Sequence, residues 1–127
     1  MEINRPDVLA EVTAAFARYE EALVTNDVDS LDALFRGADY TIRYGGGENL
    51  YGFDEIKAFR AGRSPAGLDR TLSRTVITTF GADFATAMTL FHRTPGRIGR
   101  QSQTWVRFPE GWQVVAAHVS QIDAPAA

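Results

Sequence analysis

The sequence predicts an α+β fold, and two observations carry that expectation. Up to Gly62 the apolar residues recur mostly at three- and four-residue spacing, while from Arg70 onward the period becomes two and stays so. Helices gathered ahead of a long antiparallel meander define the α+β class. At 127 residues the chain suffices for one domain with one core, expected over 1–127, and no repeat or linker divides it.

The elements follow in order. Residues 6–25 form an amphipathic helix, in which Pro6 suits the first turn and Val8, Val12, Ala15, Phe16, Tyr19 and Leu23 make one apolar stripe. Asn26-Asp27 interrupts it, and Asp27 or Asp29 can cap a second short helix running to Phe35. Residues 39–44 alternate, with Tyr40, Ile42 and Tyr44 on one side and Thr41 and Arg43 on the other. Gly45-Gly46-Gly47 forces a loop, and a third helix covers 53–62. Four strands follow near 70–80, 83–93, 97–108 and 111–121, separated by short Gly- and Pro-containing turns. The long first helix is expected to cover the concave face of the resulting sheet.

Composition narrows the function. A net charge of −3 argues against a nucleic-acid partner, whose phosphates require clustered basic excess. Without cysteine there is no thiol nucleophile, disulfide or thiolate metal site. Two histidines 26 positions apart offer no metal coordination set, so neither metal nor cofactor is expected. The glycine run lacks the Gly-Lys-Ser/Thr ending of a phosphate loop, and no nucleophile elbow surrounds a serine. No apolar stretch suits a signal peptide or a membrane span, so a cytoplasmic protein with no membrane partner is expected. Of the 13 basic residues all but Lys57 are arginine, which fits either a compositional bias or guanidinium recognition of carboxylates.

The closing stretch Gln103-Thr104-Trp105-Val106-Arg107, then Glu110-Gly111-Trp112-Gln113-Val114-Val115-Ala116-Ala117-His118, resembles the final hairpin of the NTF2-like superfamily, including its SnoaL-like branch. That resemblance implies a cone: three helices packed on a curved, mostly antiparallel sheet. A narrower resemblance rests on Arg18-Tyr19-Glu20, Asn26-Asp27, Arg43-Tyr44-Gly45, Glu48-Asn49-Leu50-Tyr51-Gly52, Ile56-Lys57-Ala58-Phe59-Arg60 and Gly99-Arg100-Gln101-Ser102. In order and spacing these segments are similar to the AtzH-like family, which includes the HpxZ-like proteins of oxalurate catabolism. The resemblance implies breakdown of small ureido carboxylates. Its AtzH branch implies hydrolysis of 1,3-dicarboxyurea with loss of carbon dioxide, using a helix tyrosine and a strand arginine that fall here on Tyr19 and Arg43.

The residues themselves leave alternatives open. Tyr19 is either a core aromatic or a phenol facing a pocket, and Arg43 points either to solvent or into the concavity. An internal guanidinium demands an anion, which a ligand carboxylate would supply. A phenol acting as base near neutral pH needs nearby cations, with Arg63 a candidate second one, whereas a phenol acting as donor needs none. If Pro109-Glu110 is a two-residue turn, counting back sets Gln103 opposite Ala116 and Gln101 opposite His118, whereas a one-residue change in loop length sets His118 opposite Ser102. Gln101, Gln103, Trp105 and His118 would then share one region, and the amides suit a urea-like group. Asn49 is either a ligand contact or a turn residue. The expected partner is a small anionic carboxylate, turned over by an enzyme or held by a non-catalytic module beside an amidohydrolase. The alternating Phe84, Met88 and Leu90 suit a homodimer through the outer sheet face.

Overall fold

A computed structural model describes residues 1–125 as one six-stranded sheet with three helices. The first helix, α1 (Pro6–Val24), begins with Pro6 in its first turn and ends where the Thr25 hydroxyl donates to the Glu21 carbonyl at 2.7 Å. Asn26, at φ 52°, takes the left-handed conformation that reverses the chain. Asp27 then caps α2 (Val28–Leu34): one carboxylate oxygen accepts from the Ser30 amide and the other from its hydroxyl. After β1 (Ile42–Tyr44) and β2 (Asn49–Tyr51) comes α3 (Phe53–Ala61), followed by β3 (Thr71–Phe80), β4 (Phe84–His92), β5 (Arg97–Phe108) and β6 (Gly111–Asp123).

The strand order is β2-β1-β6-β5-β4-β3, with every neighbouring pair antiparallel except β1 and β6. The sheet gains one strand over the five expected, because Asn49–Tyr51 folds back on β1 as a three-residue hairpin arm too short to show alternation. The α1 stripe is the one expected, with Ala22 added. Val8, Val12, Ala15, Phe16 and Tyr19 join Ala85, Ala87, Trp105, Trp112 and Val114 in a single buried cluster. Burying each larger side chain contributes about 1.5–3 kcal/mol.

The last hairpin corrects the expected pairing. Phe108 faces Gly111 and Trp105 faces Val114 as counted, but Thr104 pairs with Ala116, leaving Val115 unmatched in a bulge. Beyond it every partner shifts by one. Gln103 faces Ala117 and Gln101 faces Val119, whereas His118 faces Ser102. Since side chains alternate, the shift sends His118 to the outer face and turns Ala117 and Val119 inward.

Candidate functional site

Between α1, α3 and the inner sheet face lies a cavity of about 580 Å³. Alternation along β1 decides what enters it. Ile42 and Tyr44 point outward, and Arg43, between the neighbours Leu50 and Ala117, points in. Tyr19 arrives from the buried stripe of α1, so phenol and guanidinium share the cavity wall. Arg63 comes from just past α3, Arg70 from just before β3 and Arg93 from just after β4. Four arginines distant in sequence thereby converge.

Their compensation is unequal. Arg70, with a side chain only 2% exposed, donates from Nε and Nη2 to both oxygens of Glu20, and Nη2 donates again to Gln101 Oε1 at 3.0 Å. Arg43 is not awaiting an external anion, as the sequence suggested. Its Nη1 donates to Glu48 Oε1 at 2.8 Å, because the β1–β2 turn carries Glu48 back over its own strand. Arg63 and Arg93 have no carboxylate partner among the described residues. Arg63 reaches only Asn26 Oδ1 at 3.4 Å, Arg93 only the Leu68 carbonyl at 3.2 Å, and each has a buried Nε with no acceptor.

Burial pushes the Arg63 guanidinium below its ordinary pKa, with Arg60 and Arg43 adding to that push and Tyr19 opposing it. Arg93 is lowered likewise by burial and then by Arg70, against Glu20 and Tyr19. Tyr19 therefore stands within electrostatic reach of both uncompensated cations. The Phe91 ring underlies this group, with the Arg70 guanidinium 4.7 Å and that of Arg93 5.5 Å from its centroid.

Gln101 completes the wall. Its oxygen accepts from Arg70, which orients the amide and leaves Nε2 as a buried donor without a partner. The cavity is thus rich in donors: guanidiniums, one amide and a phenol. Such a lining suits a small oxyanion with a carbonyl or amide attached.

Several expected contacts lie elsewhere. Gln103 is buried beside the cavity with its oxygen committed to the Trp105 indole at 3.1 Å, and Trp105 is a core residue. Neither lines the cavity, since both sit where α1 packs on the sheet. Asn49 is exposed, opposite Tyr44 on the outer side. His118 borders the cavity rim, but its ring packs edge-on against Tyr44, on the outer face. Nothing in the sequence singles out Arg70 and Arg93, because an arginine at a strand end carries no local sign that it turns inward. Among the described residues, no group of three or more His, Asp or Glu could hold a metal ion, and no helix is long and apolar enough to cross a membrane.

Comparison with known proteins gives the same outline. A family model described as AtzH-like matches residues 1–125. A Pectobacterium atrosepticum protein of unknown function is 61% identical over 95% of both chains, with a TM-score of 0.93. A cystatin-like fold protein from Burkholderia xenovorans is 49% identical, covering 98% of this chain and 99% of its own, with a TM-score of 0.94. A nuclear transport factor 2 (NTF2-like) superfamily protein from Salmonella enterica is 25% identical over 95% of this chain and 94% of its own, with a TM-score of 0.75. No curated protein matches.

Proposed function

The chain belongs to the AtzH-like family within the NTF2-like superfamily, and from that premise we propose that it hydrolyses a small ureido- or oxamate-type carboxylate. The observation that carries this reading is the pair of half-buried guanidiniums, Arg63 and Arg93, left without carboxylates in a cavity that also holds Tyr19 and Arg43. A surplus of half-buried positive charge costs stability without a ligand and is offset when an anion enters. In the proposed complex the ligand carboxylate lies among the arginines and Gln101 Nε2 donates to a carbonyl. Water adds to that carbonyl carbon and the C–N bond breaks, Tyr19 giving its proton to the departing nitrogen and regaining one from the added water. Loss of carbon dioxide would follow where the product is an N-carboxylate.

A second reading, ligand binding without turnover, is favoured by one observation. Both carboxylates nearest the arginines, Glu20 and Glu48, are engaged in ion pairs. Incubation with oxalurate, followed by mass spectrometry of products and by calorimetry, tests both readings. Product release that Tyr19→Phe and Arg63→Ala each suppress supports the enzyme, whereas binding without product supports the accessory module. If oxalurate and related ureido carboxylates neither bind nor react, the proposal fails.

We further propose that the chain forms a homodimer. Its support is a cross-strand row on the outer face, from Val76 through Met88 and Ser102 to His118 and Tyr44, in which Val76 and Met88 are exposed. Sedimentation of Met88→Asp tests it: a monomer where the parent is a dimer supports the interface, and a monomeric parent removes it.

A further inference from the structure

The turn between β1 and β2 is built around a carboxylate. Glu48 Oε1 accepts from Arg43, Oε2 accepts from the Gly47 amide, and the Glu48 carbonyl accepts from the Gly45 amide, so the residue folds back onto the arm that carries Arg43. Gly45 explains how the side chain fits. A Cβ at position 45 would overlap the Glu48 carboxylate and touch Arg43 Nη1, whereas at Gly46 and Gly47 it would meet open space. The backbone at Gly45 is not in the left-handed region, so glycine is required there only by the volume that Glu48 fills.

We propose that Glu48 is a specificity-determining residue: its carboxylate occupies the anion position of Arg43, and a ligand reaches Arg43 by exchanging its own carboxylate for that of Glu48. The inference rests on the function proposed above and adds the rule by which this arginine selects its ligand. An uncharged urea or amide cannot replace a carboxylate on a guanidinium without leaving a partly buried cation uncompensated, so exchange admits acids and rejects neutral analogues. Arg63 and Arg93 supply the field that draws the acid in. Glu48 can leave because its carboxylate is held by one guanidinium bond and one backbone amide, and its side chain lies at the partly exposed rim. Arg70 and Glu20, gripped through two bonds and more deeply buried, do not exchange.

The test is calorimetric titration of oxalurate into the parent and into Glu48→Gln, Gly45→Ala and Arg63→Ala, with oxamide as the uncharged probe. Glu48→Gln removes the competing charge. Gly45→Ala keeps the charge and evicts it sterically at a position whose backbone accepts alanine. Both should bind oxalurate about tenfold tighter than the parent, the scale of one charge-assisted contact. Oxamide cannot replace the Glu48 charge on Arg43, so it should bind the parent far more weakly than oxalurate, and Glu48→Gln should relax that rejection. In the Arg43→Ala background, adding Glu48→Gln should bring no further gain. A gain in Glu48→Gln without one in Gly45→Ala would mean a diffuse charge effect and would overturn the exchange. If the parent binds oxalurate and Arg63→Ala abolishes binding, yet neither Glu48→Gln nor Gly45→Ala tightens it, the exchange is wrong and the function stands. If no variant binds any ureido carboxylate, the function falls and the exchange falls with it.

Discussion

The Arg70 guanidinium grips both oxygens of the Glu20 carboxylate, at 2.6 and 2.9 Å, and so ties the start of β3 to the residue that follows Tyr19 on α1. The pair neutralises one arginine of the cavity and leaves Arg63 and Arg93 to define its charge. Breaking it should harm the fold more than an exposed pair would, since Arg70 is almost wholly enclosed.

Glu20→Gln should therefore lose about 3 kcal/mol of stability in chemical denaturation, because it strands a buried cation. Replacing both partners, as in Glu20→Gln with Arg70→Met, should recover most of that loss. A double variant no more stable than the single would show that the pair contributes packing rather than compensation.

Arg63→Met should raise the melting temperature of the ligand-free protein while weakening anion binding. The folded state depresses this guanidinium below its ordinary pKa, and an arginine is charged in both folded and unfolded chains at any ordinary pH. The penalty is then constant across the accessible range, and removing the charge relieves it. A saturating ligand should reverse the order, lifting the parent above the variant by mass action. If Arg63→Met melts below the parent without ligand, the guanidinium is stabilising after all.

Gly99→Ala should cost about 1–3 kcal/mol by overpacking. Gly99 pairs with Phe91 across β5 and β4, and the Phe91 ring fills the space that a Cβ would need. Because that ring carries Arg70 and Arg93, its displacement should also weaken ligand binding. Unchanged affinity alongside lost stability would separate the ring from the site.

The α2 cap should make stability sensitive to acid. Hydrogen bonds from the Ser30 hydroxyl and amide hold the Asp27 carboxyl below its ordinary value of 3.8. A depressed carboxylate stabilises the fold at pH above its unfolded pKa, and that contribution fades as pH falls through the lower folded value. Asp27→Asn should flatten the stability profile below pH ~4 and change it little near neutrality. A profile that keeps the parent's slope would assign the acid sensitivity elsewhere.

Much was decided within single elements and could be read from them. The α1 stripe, the Asp27 cap, the meander and the two-residue turn at Pro109-Glu110 depend on residues a few positions apart, where helix and strand periods act directly. Alternation along 39–44 likewise set Thr41 and Arg43 apart from Ile42 and Tyr44, though not which side faces inward. The bulge at Val115 was beyond such counting, because strand pairing tolerates an unmatched residue and only the packing of Val114 and Ala117 reveals which one is extra. The charge balance of the cavity is tertiary too. Whether Arg43, Arg63, Arg70 or Arg93 meets a carboxylate depends on a turn that returns Glu48 and on the docking of α1 that delivers Glu20. Periodicity assigns a side chain to a face. Electrostatic compensation depends on distances across elements, which only the assembled sheet and helices determine.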